Sequence, residues 1–215
     1  MVQIKIAIVD DHGIFIKGLK TLFKSFRDIK ILMEAENGSD FIEKLKIEVP
    51  DIVLLDVDMP KMDGVETTAY LTKHHPDLKV IILTHHHSEE IMLHLIELGA
   101  RGFLLKNNTI ETIVDAIYSV KENGYFFNDK VPRALVKELM ITKKIKPKFE
   151  KVTLTERELE VFELVCKECT NLYIAEKLHI DTTTVETHKK NIIKKTGAKN
   201  IIGAVMYAIK NGLIE

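Results

Sequence analysis

Five polar residues sit at the ends of short apolar runs. Asp10 and Asp11 follow Ile4–Val9, Asp56 follows Ile52–Leu55, Thr84 follows Val80–Leu83 and Lys106 follows Gly102–Leu105. If each run is a strand of one sheet, the five side chains collect at a single edge. Carboxylates arriving from two strand ends repel one another unless a hard cation lies between them, and hard cations take oxygen ligands. Lysine adds a fixed positive charge, and threonine adds a hydroxyl donor. A nucleophilic carboxylate, a divalent cation, an ammonium and a hydroxyl suit phosphoryl transfer onto aspartate. The cation and the ammonium would neutralise the oxygens of the travelling group.

The elements that must position these residues are legible as an alternation. The four runs above, with Ile29–Met33, are short, apolar and rich in β-branched residues, as strands covered on both faces are. Between them lie stretches with helical spacing. Ile14, Leu19, Leu22, Phe23 and Phe26 share one face, as do Ile91, Leu95, Ile96 and Leu98, and then Ile110, Ile113, Val114 and Ile117. This predicts an α/β domain, a doubly wound five-stranded parallel sheet whose ligand site lies at the carboxyl edge.

Composition separates two halves. Residues 1–129 hold 14 Lys plus Arg against 21 Asp plus Glu, a balance of −7; residues 130–215 hold 17 against 11, a balance of +6. An acidic half joined to a basic one points to different partners, a polyanion among them. No apolar run approaches the roughly 18–20 residues of a spanning helix, and the N-terminus lacks the layout of a signal peptide. The two cysteines, Cys166 and Cys169, make no disulfide framework and read as free thiols of a reducing cytosol. The run His85-His86-His87 invites a metal reading, but adjacent loop residues cannot all face one ion. It reads as an exposed loop before a helix capped by Ser88.

Residues 1–121 resemble the receiver domain of bacterial two-component response regulators. The likeness rests on Asp10-Asp11-His12, on Asp56-Val57-Asp58-Met59-Pro60 with Gly64 beyond, on Thr84, and on Gly102-Phe-Leu-Leu-Lys106. It implies that Asp56 accepts a phosphoryl group from a sensor kinase histidine. It also implies that Mg²⁺ is held by Asp11, Asp56 and the backbone carbonyl of Asp58, with Asp10 acting through water. Thr84 and Phe103 would be the switch pair, Phe103 turning inward when Thr84 bonds the phosphoryl group. Departures are Asn107 in place of a frequent proline, and Asp58 and His85 where relatives place residues that control water access to the acyl phosphate.

The second half changes texture. Glu122-Asn123-Gly124 reads as a helix stop, Lys130–Met140 as a short helix, and Lys143–Lys148 as a basic tether broken at Pro147. From Leu154 onward four short helices are expected. Thr155 and Glu158 form a capping box, Thr170 or Asn171 caps the second helix, and Asp181 or Thr182 caps a third that runs to about Thr196. Two helices joined by a tight turn describe a helix-turn-helix unit. Lys189, Lys190, Lys194, Lys195 and Lys199 fall in a stretch without acids, which suggests phosphate contacts.

Leu154-Thr-Glu-Arg-Glu158, Asn171–Ala175, Thr184-Val-Glu-Thr-His188 and Lys195–Asn200 resemble the four-helix DNA-binding domain of the NarL/FixJ and LuxR type. That likeness implies a third helix, Thr182–Lys195, entering the major groove as a dimer binds paired half-sites. Thr184, Glu186, Thr187, Lys190, Lys194 and Lys195 would form its DNA-facing set. Here Glu168 replaces a usual glycine, Ile201 an arginine and Glu186 a lysine. A carboxylate at Glu186 would accept from cytosine N4, or else lie along the groove beside Lys189 or Lys190.

The expectation is therefore a receiver at 1–123, a linker with a helix at 124–150, and a LuxR-type helix-turn-helix domain at 151–215. The whole would be a cytoplasmic DNA-binding response regulator that dimerises on phosphorylation. The dimer surface would lie around the first and last receiver helices, or the fourth helix and fifth strand. Its partners would be a sensor histidine kinase, double-stranded DNA and a second copy, with no membrane. It would be no enzyme beyond Mg²⁺-dependent self-phosphorylation on Asp56 and slow autodephosphorylation. The alternative is a phosphorylation-regulated module whose C-terminal helices bind a partner protein.

Overall fold

The computed structural model describes residues 3–85, 88–126, 154–167 and 169–210, and the chain divides into two compact units, Met1–Asn128 and Asp129–Glu215. The expected helix at 130–140, the basic tether, His86, His87 and Glu168 lie outside the described residues. Among the described residues no helix is long and apolar enough to cross a membrane.

The first unit alternates β1 (Ile4–Val9), α1 (Gly13–Phe23), β2 (Ile29–Ala35), α2 (Gly38–Leu45), β3 (Ile52–Leu55), α3 (Gly64–His74), β4 (Lys79–Thr84), α4 (Glu89–Leu98), β5 (Gly102–Leu105) and α5 (Ile110–Asn123). The strands pair in parallel in the order β2-β1-β3-β4-β5. Chain direction across the sheet reverses between β1 and β3, so the loops after these two strands, which begin with Asp10 and Asp56, diverge. Strand alternation divides the core. Ile4, Ile6, Ile8, Ile52, Leu54, Ile81, Leu83 and Leu104 pack with Ile16, Leu19 and Phe23 of α1 and Ile113, Val114, Ile117 and Val120 of α5. The intervening residues, among them Val9, Val53, Leu55, Ile82 and Phe103, are buried on the opposite face.

The expected inward face of α1 needs correction. Ile14 is 90% exposed and Leu22 is exposed as well, while Ile16 takes the inward place with Leu19 and Phe23. The helix begins at Gly13, and Ile14 lies two residues, about 200° of rotation, away from Ile16. The other expected faces are buried as the spacing requires, through Leu95 and Ile96 on α4 and Ile113, Val114 and Ile117 on α5.

One glycine holds the phosphoacceptor loop in place. Asp63 caps α3 with a full capping box, and the Gly64 N–H donates to the Val57 carbonyl at 2.9 Å. A Cβ at Gly64 would lie 2.2 Å from the Asp56 carbonyl oxygen and 2.7 Å from the Val57 Cα. Both neighbours are backbone and cannot swing aside.

The second unit contains α6 (Glu156–Cys166), α7 (Asn171–Leu178), α8 (Thr182–Thr196) and α9 (Ile201–Lys210). Helix α8 packs against α6, α7 and α9, and is the centre of the unit. Its core is Val161, Phe162, Val165, Ile174, Val185, Ile192, Ile201, Ile202, Val205 and Met206. The capping box of Thr155 and Glu158 is formed, and Thr170 rather than Asn171 caps α7. Asp181 stands at the N-cap of α8 without a side-chain bond, and His179 turns the chain between α7 and α8 at φ 52°.

The Gly64 contact generates a prediction. Gly64→Ala should lower the stability of the first unit by about 1–3 kcal/mol, because the new methyl displaces backbone. Urea unfolding of the full chain would measure it, and an unchanged midpoint for the receiver transition would refute the role given to this contact.

Candidate functional site

Three residues on three strand ends make the centre of the first site. Asp10 and Asp56 are 2% and 3% exposed, and the Lys106 ammonium is 2.7 Å from Asp10 Oδ2 and 2.7 Å from Asp56 Oδ2. One buried cation thus serves two buried carboxylates. Asp56 Oδ1 accepts from the Val57 N–H at 2.8 Å, and the Phe15 ring lies 5.1 Å from Nζ, a further contact for the buried charge. Burial raises the Asp56 pKa; Lys106 opposes that, the neighbouring Asp10 carboxylate adds to it, and the Val57 N–H opposes it again. The carboxylate is therefore costly to keep charged, and it would gain from further positive charge nearby.

Asp11 is more open and stands beside this pair. Ligand atoms of Asp10, Asp11, His12 and Asp56 all lie within 4.8 Å of one another, close enough to hold one metal ion. The three carboxylates give an oxygen donor set of the kind that hard divalent cations prefer. His12 is the residue that sequence reasoning left without a role. Its backbone N–H donates to Asp10 Oδ1 at 2.9 Å, and its Nδ1 is 2.8 Å from Asp11 Oδ1. Its position directly after the acid pair was the available signal.

Thr84 and Phe103 lie on neighbouring strands. Ile82 pairs with Phe103 and Thr84 with Leu105, so Thr84 and Phe103 face the same side of the sheet as diagonal neighbours. Both side chains are buried. Asp58 is exposed in the loop after β3, and Lys61 in that loop has φ 68°. His85 is exposed, and its ring stands edge-on to His12 with 6.2 Å between centroids. Ser88 caps α4 by accepting from the Ile91 N–H.

In the second unit the exposed residues of α8 form a stripe that includes Thr183, Glu186, Thr187, Lys190 and Lys194. Thr184 is half-buried, and Thr187 donates its hydroxyl to the Thr183 carbonyl at 2.9 Å. Two of the five lysines expected to lack a counter-charge and face phosphates are otherwise engaged. Lys195 is 2.6 Å from Glu158, the buried acid of the α6 capping box, so its charge is matched from another helix. Burial works against the Glu158 carboxylate, yet the bonds from Lys195 and Thr155 hold its pKa below the ordinary range. Lys189 is buried and donates to Asn171 Oδ1 on α7. Burial brings its pKa down to about 8, against the raising influence of Glu186. Neither engagement was visible in a stretch read only for local charge.

A doubly wound sheet with an acid pair, a buried acid and a lysine at its carboxyl edge, joined to a helix-turn-helix unit, defines a class: regulators built from a receiver and a DNA-binding domain. Residues 6–118 match the family described as "Response regulator receiver domain", and residues 152–208 match "Bacterial regulatory proteins, luxR family". The chain is 35% identical to the transcriptional regulatory protein LnrK of Bacillus subtilis, over 98% of this chain and 99% of that one. It is 31% identical to the transcriptional regulatory protein DegU of Brevibacillus brevis, over 99% and 96%. Among solved structures it resembles the response regulator ChrA of a heme-sensing two-component system, with 31% identity, TM-score 0.53 and full coverage of both chains. The RcsB response regulator of Salmonella typhimurium aligns at 25% identity and TM-score 0.58, over 96% of this chain and 98% of that one. The chain belongs to the NarL/FixJ family of response regulators, with an N-terminal receiver and a C-terminal LuxR-type DNA-binding domain.

The buried lysine carries a pH dependence. Below about 8 the Lys189 ammonium is charged in folded and unfolded chains alike, and the fold bears the cost of burying it. Between about 8 and the ordinary 10.5 the unfolded chain still holds the proton that the folded one has released, so this group makes stability rise with pH. Thermal unfolding of the parent and Lys189→Met should show the parent gaining on the variant between about pH 8 and the ordinary lysine value of 10.5. A constant difference would mean that Lys189 is solvated.

Proposed function

We propose that this chain is a cytoplasmic transcription regulator switched by phosphoryl transfer from a sensor histidine kinase to Asp56. The observation that carries the reading is the Lys106 ammonium held 2.7 Å from both Asp10 and Asp56. An Asp56 oxygen attacks phosphorus, and a P–O bond forms as the P–N bond of the phosphohistidine breaks. Asp11, Asp56 and the Asp58 carbonyl, with Asp10 through water, would hold Mg²⁺, which would supply positive charge for the oxygens of the transferring group. Lys106 supplies the second positive charge, already in position and already desolvated. The Thr84 hydroxyl then bonds the phosphoryl group, and Phe103, its neighbour on the same face, fills the space behind it.

The output is dimerisation and binding of promoter DNA through α8. Glu186 and Thr187 approach base edges, while Lys190 and Lys194 meet phosphates. Catalysis is confined to self-phosphorylation and slow loss of the acyl phosphate.

Two measurements test this. Incubation with acetyl phosphate should add one phosphoryl group at Asp56 only when Mg²⁺ is present, and Asp56→Asn should abolish it; normal labelling of the variant, read by mass spectrometry, would defeat the assignment. Replacement of Lys194 by alanine should weaken binding to all DNA sequences alike and lower the salt slope by about 1. Lys195→Ala should act differently. It leaves the buried Glu158 charge unmatched, so its first effect is lost stability in the helical unit. Binding that is insensitive to salt in every variant would favour a protein partner over DNA.

A further inference from the structure

Lys106 follows β5 directly at the carboxyl edge of the sheet, yet its side chain is only 1% exposed. Asp10 and Asp56 each stand 2.7 Å from the ammonium, and the His12 Nδ1 stands 3.5 Å away. An aromatic ring faces the same charge. The Phe15 centroid is 5.1 Å from Nζ, inside the roughly 6 Å over which a cation feels the ring quadrupole. The first turn of α1 places that ring. Helix α1 begins at Gly13, directly after Asp11 and His12, and the Phe15 N–H donates to the His12 carbonyl at 2.9 Å. Phe15 is half-buried and packs against the core that α1 and α5 share with the sheet. Its ring therefore meets aliphatic side chains on one flank and a charge on another.

We propose that Phe15 is a positioning residue for phosphoryl transfer, steadying the Lys106 ammonium through its π face while the phosphoacceptor changes. The inference rests on the reading of Asp56 as the phosphoacceptor. Before transfer, Lys106 answers the Asp56 carboxylate directly. An Asp56 oxygen then forms the new P–O bond as the donor's bond to phosphorus breaks, and the donor leaves with that electron pair. Negative charge now lies farther out, on the phosphoryl oxygens, and the ammonium must follow it. A hydrogen bond weakens steeply with such a shift. Attraction to a ring face is electrostatic and spread over the whole ring, so it survives a small displacement. Phe15 thus holds the lysine while one of its carboxylate partners is being exchanged. Its contribution is larger in the transition state than before it, which is the condition for an effect on rate.

A graded ring series is the test. The full-length protein is made with mono-, di- and trifluorinated phenylalanine at position 15, which keeps the shape of the ring and drains its face of negative charge. Phe15→Leu keeps an apolar side chain without a ring. Phosphorylation of Asp56 by acetyl phosphate should slow with each added fluorine, reaching about tenfold in the trifluoro protein and in F15L. Nuclear magnetic resonance of the unphosphorylated protein reads the contact apart from the reaction. The ε-methylene protons of Lys106, assigned through Lys106→Met, should be shifted upfield by the ring in the parent and return to the usual lysine position in F15L. Equal rates across the fluorinated series, or an unshifted Lys106 signal in the parent, overturn the proposal. A slow F15L beside a flat fluorinated series marks Phe15 as packing alone and leaves the phosphoacceptor reading standing. If the parent takes up no phosphoryl group at Asp56, the reading of the pocket fails and the proposal falls with it.

Discussion

The shared ammonium of Lys106 is the constraint around which the receiver is organised. Two carboxylates buried within reach of each other cannot both remain charged without compensation. Lys106 compensates them from the end of β5, while Asp10 ends β1 and Asp56 ends β3. The register brings the two acids level and sets the lysine beyond them: Val9 pairs with Leu55, Leu55 with Ile82, and Leu105 with Thr84 two residues further on, so the long Lys106 side chain spans the offset. A one-residue slip of any strand would turn a charged group into the core and an aliphatic one into the pocket.

The same requirement explains why the loop after β3 is so closely held. Asp56 must present one oxygen to Lys106 while the other is fixed by the Val57 N–H. That leaves little room for backbone movement between Asp56 and α3, and Gly64 closes the loop by lying directly against it. The helical unit meets a comparable need with charge. Glu158 is buried to complete a capping box, and Lys195 reaches from α8 to neutralise it. The cap of one helix and the end of another are thereby tied together.

Most of this was legible where burial is symmetrical. Strands covered on both faces read as continuous apolar runs, and polar residues at their ends stand out, which is why Asp10, Asp56, Thr84 and Lys106 could be placed together. Helix caps were equally readable, since Ser88, Thr155 and Thr170 satisfy orphan amides within one turn of chain. What was hidden depends on distance along the chain. Ile14 looks like core until the first residue of α1 is known, since one residue changes the facing direction by about 100°. Lys195 and Glu158 are 37 residues apart, and Lys189 and Asn171 are 18 apart, so neither pairing leaves a local mark. His12 escaped notice because its place is set by carboxylates that meet from two strand ends.

With Lys189 turned inward and Lys195 paired, the exposed stripe of α8 retains Lys190 and Lys194, one turn apart. If α8 meets DNA as proposed, two ammonium groups would displace only about two condensed counterions per helix, and α8 of a single copy would hold a duplex weakly. A second copy on an adjacent half-site turns the next encounter into an intramolecular one, at an effective concentration far above that of the free protein. Occupancy of a promoter would then follow the fraction of paired molecules much more steeply than the total amount of protein. Sparse charge on the reading helix would make the chain a poor squatter on random DNA, and leave its tenancy of any site to the state of the receiver.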